Sequence, residues 1–227
     1  MPNAVNSAQY QARIKQAEAL FEEQNFTQRQ TINLDSGYEI VKDAYGPSTA
    51  SFGGGEYTLF DTRKTQIKTW RCIDDRAEFF SLIRHANGKF YLVFRQDLYG
   101  YSVLELDRGR IMRFVPDAWA LGKESFIFSG VHYLRGWDAL AVDGCYWAAP
   151  NGVHLVSFAE PMSEEQRYVD VLDCIRGGYD IYEQADFAGF EGNELSLKCF
   201  RADALRYEKV KISREQYREW MREAKRL

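Results

Sequence analysis

The chain has 227 residues, 45% of them hydrophobic, 34 of them aromatic, with a formal net charge of −4. That length and mixed composition suit one globular domain with a sizeable core and exclude disordered or fibrous material. The acidic balance argues against a general nucleic-acid binder, which needs a basic face to displace counterions from phosphate; the local basic candidates, Arg108-Gly109-Arg110 and the arginines after position 213, read as solvated surface.

No run approaches the ~18 apolar residues of a membrane-spanning helix. The first residues also lack a basic region followed by a hydrophobic stretch, so a cytoplasmic protein without a membrane partner is expected. Cys72, Cys145, Cys174 and Cys199 lie far apart in strand-like runs without Cys-x-x-Cys spacing. They read as small buried hydrophobes with free thiols, and neither a metal nor a cofactor is expected.

In chain order, Asn6 to Gln24 carries Tyr10, Ile14, Ala17 and Phe21 on one stripe, predicting an N-terminal helix over 6–24 of about five turns, with Asn6 and Gln9 as its capping box. From 27 to 212 the pattern becomes short runs of β-formers punctuated by Gly, Asp and Asn. Ser213 with Gln216 then has capping-box spacing, and Tyr217, Trp220, Met221 and Ala224 share a face, predicting a helix over 213–227 with Lys225-Arg226 favouring its C-terminal dipole. One domain, 1–227, is expected to hold all three parts.

The β region contains a weak repeat. Gly55, Gly100, Gly152 and Gly192 each precede a strand, 45, 52 and 40 residues apart, and a second strand follows each. Units open at Tyr38, Phe79 and Phe126, with a less clear fourth opening near Tyr179. The fold class predicted is mainly β with an α-helix at each terminus, built as a small β-propeller-like array of about four meander units. A two-sheet β-sandwich or open barrel is the alternative. Leu140–Phe158 is the clearest hairpin: its runs are apolar on both faces, so it belongs between two layers. Asn151-Gly152 is predicted as its tight turn, and Asp143-Gly144 as a β-bulge.

His85 and His132 each lie six residues after the Phe that opens a strand, which places them at equivalent points of successive repeats and would let a third ligand complete a metal site. Cys145 with His132 or His154, oriented by Asp143, is the only conceivable thiol nucleophile. Structural roles explain both patterns equally well. Gly53-Gly54-Gly55, after Pro47-Ser48-Thr49, introduces a strand instead of a helix and reads as a loop, not a phosphate cradle. Asp74-Asp75, Asp97, Asp107, Asp138 and Asp143 occupy turn-like positions.

The candidate ligand-binding set is Tyr99, Tyr101, His132, Tyr133, Trp137, Asp138, Asp143 and Tyr146, aromatics and polar groups near turns of the middle repeats. Trp147 is expected to fill core and Trp137 to be partly exposed. With no nucleophile elbow or Walker loop, the reading is a non-enzymatic binding or protein-interaction module for a protein or small molecule. A hydrolase or carbohydrate-binding enzyme using turn carboxylates and the aromatic cluster is the alternative. The terminal helices are expected to pair within a monomer or across a homodimer.

Overall fold

The computed structural model describes residues 3–46, 53–73, 78–116 and 123–226. Pro47-Ser48-Thr49 and Asp74-Asp75 lie outside them. The architecture is mainly β, in four antiparallel sheets formed in chain order. The first joins β1 (Phe26–Asn33), β2 (Glu39–Tyr45), β3 (Gly54–Phe60) and β4 (Gln66–Cys72). The second joins β5 (Phe80–Arg84), β6 (Phe90–Phe94), β7 (Tyr101–Glu105) and β8 (Arg110–Phe114). In the third, β9 (Ile127–Leu134), β10 (Ala139–Cys145), β11 (Asn151–Ser157) and β12 (Arg167–Asp170) are followed by the short β16 (Lys225–Arg226). The fourth holds β13 (Tyr182–Glu191), β14 (Glu194–Arg201) and β15 (Arg206–Ser213). None closes into a barrel, and the two-sheet sandwich is replaced by four sheets.

Period-2 alternation explains how the sheets pack. On β6, Leu92 and Phe94 join a layer with Ile40, Leu59 and Trp70 of the first sheet, while Tyr91 and Val93 join Leu140, Val142 and Val156 of the third. On β10 the intervening Ala139 and Ala141 face Leu195, Leu197 and Cys199 of the fourth. Three apolar layers therefore separate four successive sheets, and the two middle sheets are covered on both faces. The Leu140–Phe158 hairpin is buried on both sides, as its composition predicted.

The turn of that hairpin is displaced from the predicted one. Asn151 and Gly152 belong to β11, paired with Cys145 and Gly144, and the chain reverses over Tyr146–Pro150 with the positive φ, 59°, at Ala148. Gly144 instead makes room for the Phe126 ring. A Cβ on Gly144 would lie 2.2 Å from Ile127 O and 2.5 Å from Phe126 Cε1, whereas one on Gly152 would lie at 3.6 Å from the ring, an ordinary contact. Gly144→Ala should therefore destabilise the fold by about 1–3 kcal/mol through overpacking, and Gly152→Ala by far less. Urea midpoints check this, and equal losses would refute the packing role. The predicted irregularity at Asp143-Gly144 is present: pairing with β9 slips there, from Asp143↔Gly130 to Gly144↔Phe128.

Helix α1 (Ala8–Ala17) is capped by Ser7, not Asn6, because Ser7 Oγ accepts Tyr10 N–H at 3.2 Å. It ends sooner than predicted, giving way to 3₁₀ turns at Glu18–Phe21 and Glu23–Asn25. Tyr10 and Phe21 of the stripe are buried. Two single-turn helices, α2 (Val171–Cys174) and α3 (Gly178–Ile181), precede the fourth sheet; the unit predicted to open near Tyr179 opens as helix, and Cys174 is helical. Helix α4 (Arg214–Glu223) carries the predicted Ser213–Gln216 capping box, but Lys225-Arg226 leave it to pair with Tyr168 and Arg167 of β12. The helices do not share a core layer: Tyr10 packs with Ala4 and Val115, and Tyr217 enters the layer between the third and fourth sheets. Among the described residues no helix is long and apolar enough to cross a membrane.

Candidate binding cleft

The eight predicted site residues fall into six separate environments. Tyr101 is buried, stacked on Phe128 with ring centroids 5.2 Å apart, and burial raises its hydroxyl pKa, so it is a core residue. Tyr99 is half-buried in the preceding loop. Tyr133 donates to Asp138 Oδ1 at 2.9 Å; burial, opposed by the Ala86 N–H it accepts and helped by Asp138, pushes the hydroxyl up to about 12. His132 sits 2.8 Å from Asp143 Oδ2 and stacks on Phe187 at 3.8 Å, while Asp143 Oδ1 accepts Phe187 N–H, so this pair fastens β13 onto the third sheet.

The expectations for the tryptophans are reversed. Trp137 is 5% exposed: its Nε1–H donates to Asn193 Oδ1 at 2.9 Å and its ring stacks on Tyr217 at 5.0 Å. Trp147 is 62% exposed, because the strand ends at Cys145 and leaves it in the turn. The polar neighbours of Trp137 in the sequence misled because the side chain swings under α4.

The histidines do not converge. His85 contacts Phe158 O at 2.9 Å through Nε2 and accepts Asn87 N–H through Nδ1, which holds the ring between the second and third sheets; His132 faces the fourth. No group of three metal-ligating residues exists among the described residues. Cys145 makes no hydrogen bond to a histidine there, although Asp143 does orient His132. None of the four cysteines is disulfide-bonded; Cys72 and Cys199 are buried, and burial pushes the Cys199 thiol up to about 11. Cys145 and Cys174 should react with a disulfide reagent in the native protein, and Cys72 and Cys199 only after denaturation; fast modification of all four would contradict the packing.

Among the described residues, Tyr146 is the one of the eight that lines the cleft described next, and it borders each of its three lobes. The innermost runs between Gly100, Phe114 and Pro116 at the end of the second sheet and Phe126, His154 and Tyr168 of the third. A second, with a volume of about 420 Å³, lies between Tyr168, Asp173 and α4 residues Trp220 and Glu223. The third, about 360 Å³, is bounded by Pro150, Asp173, Tyr179 and Glu183.

At the floor, His154 is 2% exposed and sandwiched between Phe126, centroid distance 3.7 Å, and Tyr168 at 5.0 Å. It lies across the ladder from Asp170. Its Nε2 lies 3.4 Å from Asp170 Oδ2. Asp170 caps α2 by accepting Leu172 N–H at 2.9 Å on Oδ1, and Oδ2 accepts the Tyr179 hydroxyl at 2.7 Å. Burial would raise this carboxyl, but His154, Tyr179 and the Leu172 amide outweigh it and hold the pKa below its ordinary value.

The cleft is electronegative. The Tyr146, Tyr168 and Tyr179 hydroxyls are all raised, first by burial; Tyr168 adds to it at Tyr146, the bond to Asp170 adds at Tyr179, and the Asp170 and Asp173 charges add at all three. Glu124, Asp173, Glu183 and Glu223 line the lobes without an ion-pair partner among the described residues. Sequence reasoning missed Asp170, Asp173, Tyr168 and Tyr179. The available signal was Asp170-Val-Leu-Asp173, an N-cap followed by an acid in the first turn, which announces a helix start inside the β region.

No protein family, curated protein or solved structure matches the chain.

Proposed function

We propose that this protein is a non-enzymatic binding module that holds its ligand in the Tyr146 cleft. The carrying observation is that one aromatic side chain lines three lobes, the innermost floored by a sandwiched histidine and the outer two walled by carboxylates, a concave site with a few fixed polar groups. Successive packing of four meander sheets supports a propeller-like array as its frame, and the docking of each terminal helix on its own chain supports a monomer. Screening a fragment library by ligand-observed NMR tests the reading: hits should lose binding in Tyr146→Ala at unchanged melting temperature. Hits indifferent to that change would remove the cleft from the function.

A hydrolytic reading draws on the same floor, since His154 stands beside Asp170 and Ser125 lines the same lobe. Against it, no hydroxyl or thiol is hydrogen-bonded to His154 among the described residues, as nucleophile activation requires. Covalent labelling of Ser125 by a fluorophosphonate would reverse the preference.

A further inference from the structure

We infer that β1 is a docking edge for a second copy of this chain, pairing antiparallel with the same strand across a two-fold axis. β1 stands at the end of the first sheet, bonded on one side to β2, and every one of its residues except Ile32 is exposed. On the open side alternate residues point their backbone N–H and C=O groups outward, and these find no partner among the described residues. Edges of this kind are a template for another strand unless something guards them. β15, at the open edge of the fourth sheet, carries Arg206, Lys209 and Lys211. β8, at an edge of the second, has the Asn3 side chain bonded to Arg113 O and to the Val115 N–H just beyond it. β1 contains no Pro, Gly or Lys, and its one charged group, Arg29, is held by Asp43 of β2 through Nε at 2.6 Å and Nη2 at 2.7 Å. A bulge at Thr27 interrupts one end and leaves a regular stretch from Gln28 to Asn33.

The chemistry of that stretch selects the occupant. With Arg29 neutralised by Asp43, the edge offers no charge by which to prefer an acidic or a basic strand. Gln28, Gln30, Thr31 and Asn33 each carry a donor and an acceptor, so they bond to side chains of their own kind. A two-fold axis normal to the sheet sets residues of the same face opposite one another, which keeps the apolar face of Ile32 and Ile40 on the covered side in both copies. Centred on Gln30 or on Thr31, the pairing uses only the regular stretch and places Arg29 opposite Thr31 or Asn33 of the other copy, so like charges do not meet. One strand pair is a small interface of the transient class, so the dilute chain stays a monomer and pairs as its concentration rises.

Sedimentation velocity on the full chain from ~10 µM to ~1 mM should show monomer giving way to dimer across this weak-affinity range. Hydrogen exchange over the same series should slow alternate amides of Gln28–Asn33 and leave those of β15 unchanged. Thr31→Lys brings a like charge against Arg29 in one register and against its own copy in the other, and should weaken dimerisation roughly fivefold at an unchanged melting temperature. Thr31→Val, which adds no charge, should weaken it far less. Monomer mass up to the highest concentration would overturn the proposal and return the edge to a strand from a different protein or to none. A dimer that Thr31→Lys does not weaken, or whose new protection lies outside β1, would place the contact on another surface and overturn it equally.

Discussion

Asp170→Ala is expected to lower the unfolding free energy by about 2–4 kcal/mol, combining a lost helix cap with a buried backbone amide left unpaired. The carboxylate joins three segments: it caps α2 through Leu172, accepts the Tyr179 hydroxyl of α3, and faces His154 across the ladder from β11. Removing it leaves the Leu172 amide and the Tyr179 hydroxyl without acceptors. For a domain of this size the melting temperature should fall by roughly 4–16 °C. Asp170→Asn keeps an oxygen for the cap, costs less, and isolates the charge. Because the folded carboxyl titrates below its unfolded value near ~3.9, the ionised form stabilises the fold in full above that value, and the contribution disappears as pH falls through the folded pKa. Wild type should consequently lose stability more steeply than Asp170→Asn below about pH 4. Parallel pH–stability curves would show that the charge contributes nothing.

The architecture was legible wherever a residue's pattern had only one way to be satisfied. Two-sided apolar runs at Leu140–Phe158 demanded cover on both faces, because that follows from burial alone. Positions governed by a distant partner were not legible. Asn151-Gly152 has ideal turn chemistry, yet Phe126, just before β9, uses the space opposite Gly144 and the ladder continues past it. Trp137 beside Gly136 and Asp138 looks like surface until α4 returns from 77 residues later to cover it. The cleft was the least visible feature. Tyr146, His154, Asp170 and Asp173 share no sequence spacing; the third sheet's ladder and a four-residue helix bring them together.

Trp137→Ala is expected to be the most damaging single truncation of the layer between the third and fourth sheets, at about 3–5 kcal/mol for a buried Trp, or roughly 6–20 °C in melting temperature. The indole touches three elements at once. It follows β9 in the turn closed by Trp137 N–H to Leu134 O at 2.9 Å, meets Phe190 of β13 edge-on at 5.4 Å, and lies under Tyr217 of α4. Its Nε1–H satisfies Asn193 in the turn that joins β13 to β14. Losing the ring therefore opens a cavity and also unseats α4, whose Trp220 and Glu223 form one wall of the cleft. Trp137→Phe separates these roles: it retains an aromatic face for Tyr217 but leaves Asn193 Oδ1 without its donor, a change worth about 1–2 kcal/mol. Hydrogen exchange supplies the decisive readout. In Trp137→Ala the amides of α4 should lose protection before those of β10 and β11, because the helix depends on this contact while the central hairpin keeps its second covered face. Uniform loss across α4 and the hairpin would mean that the helix and the third sheet unfold as one cooperative unit, and Trp137 would then stabilise the whole domain instead of the attachment of its last helix.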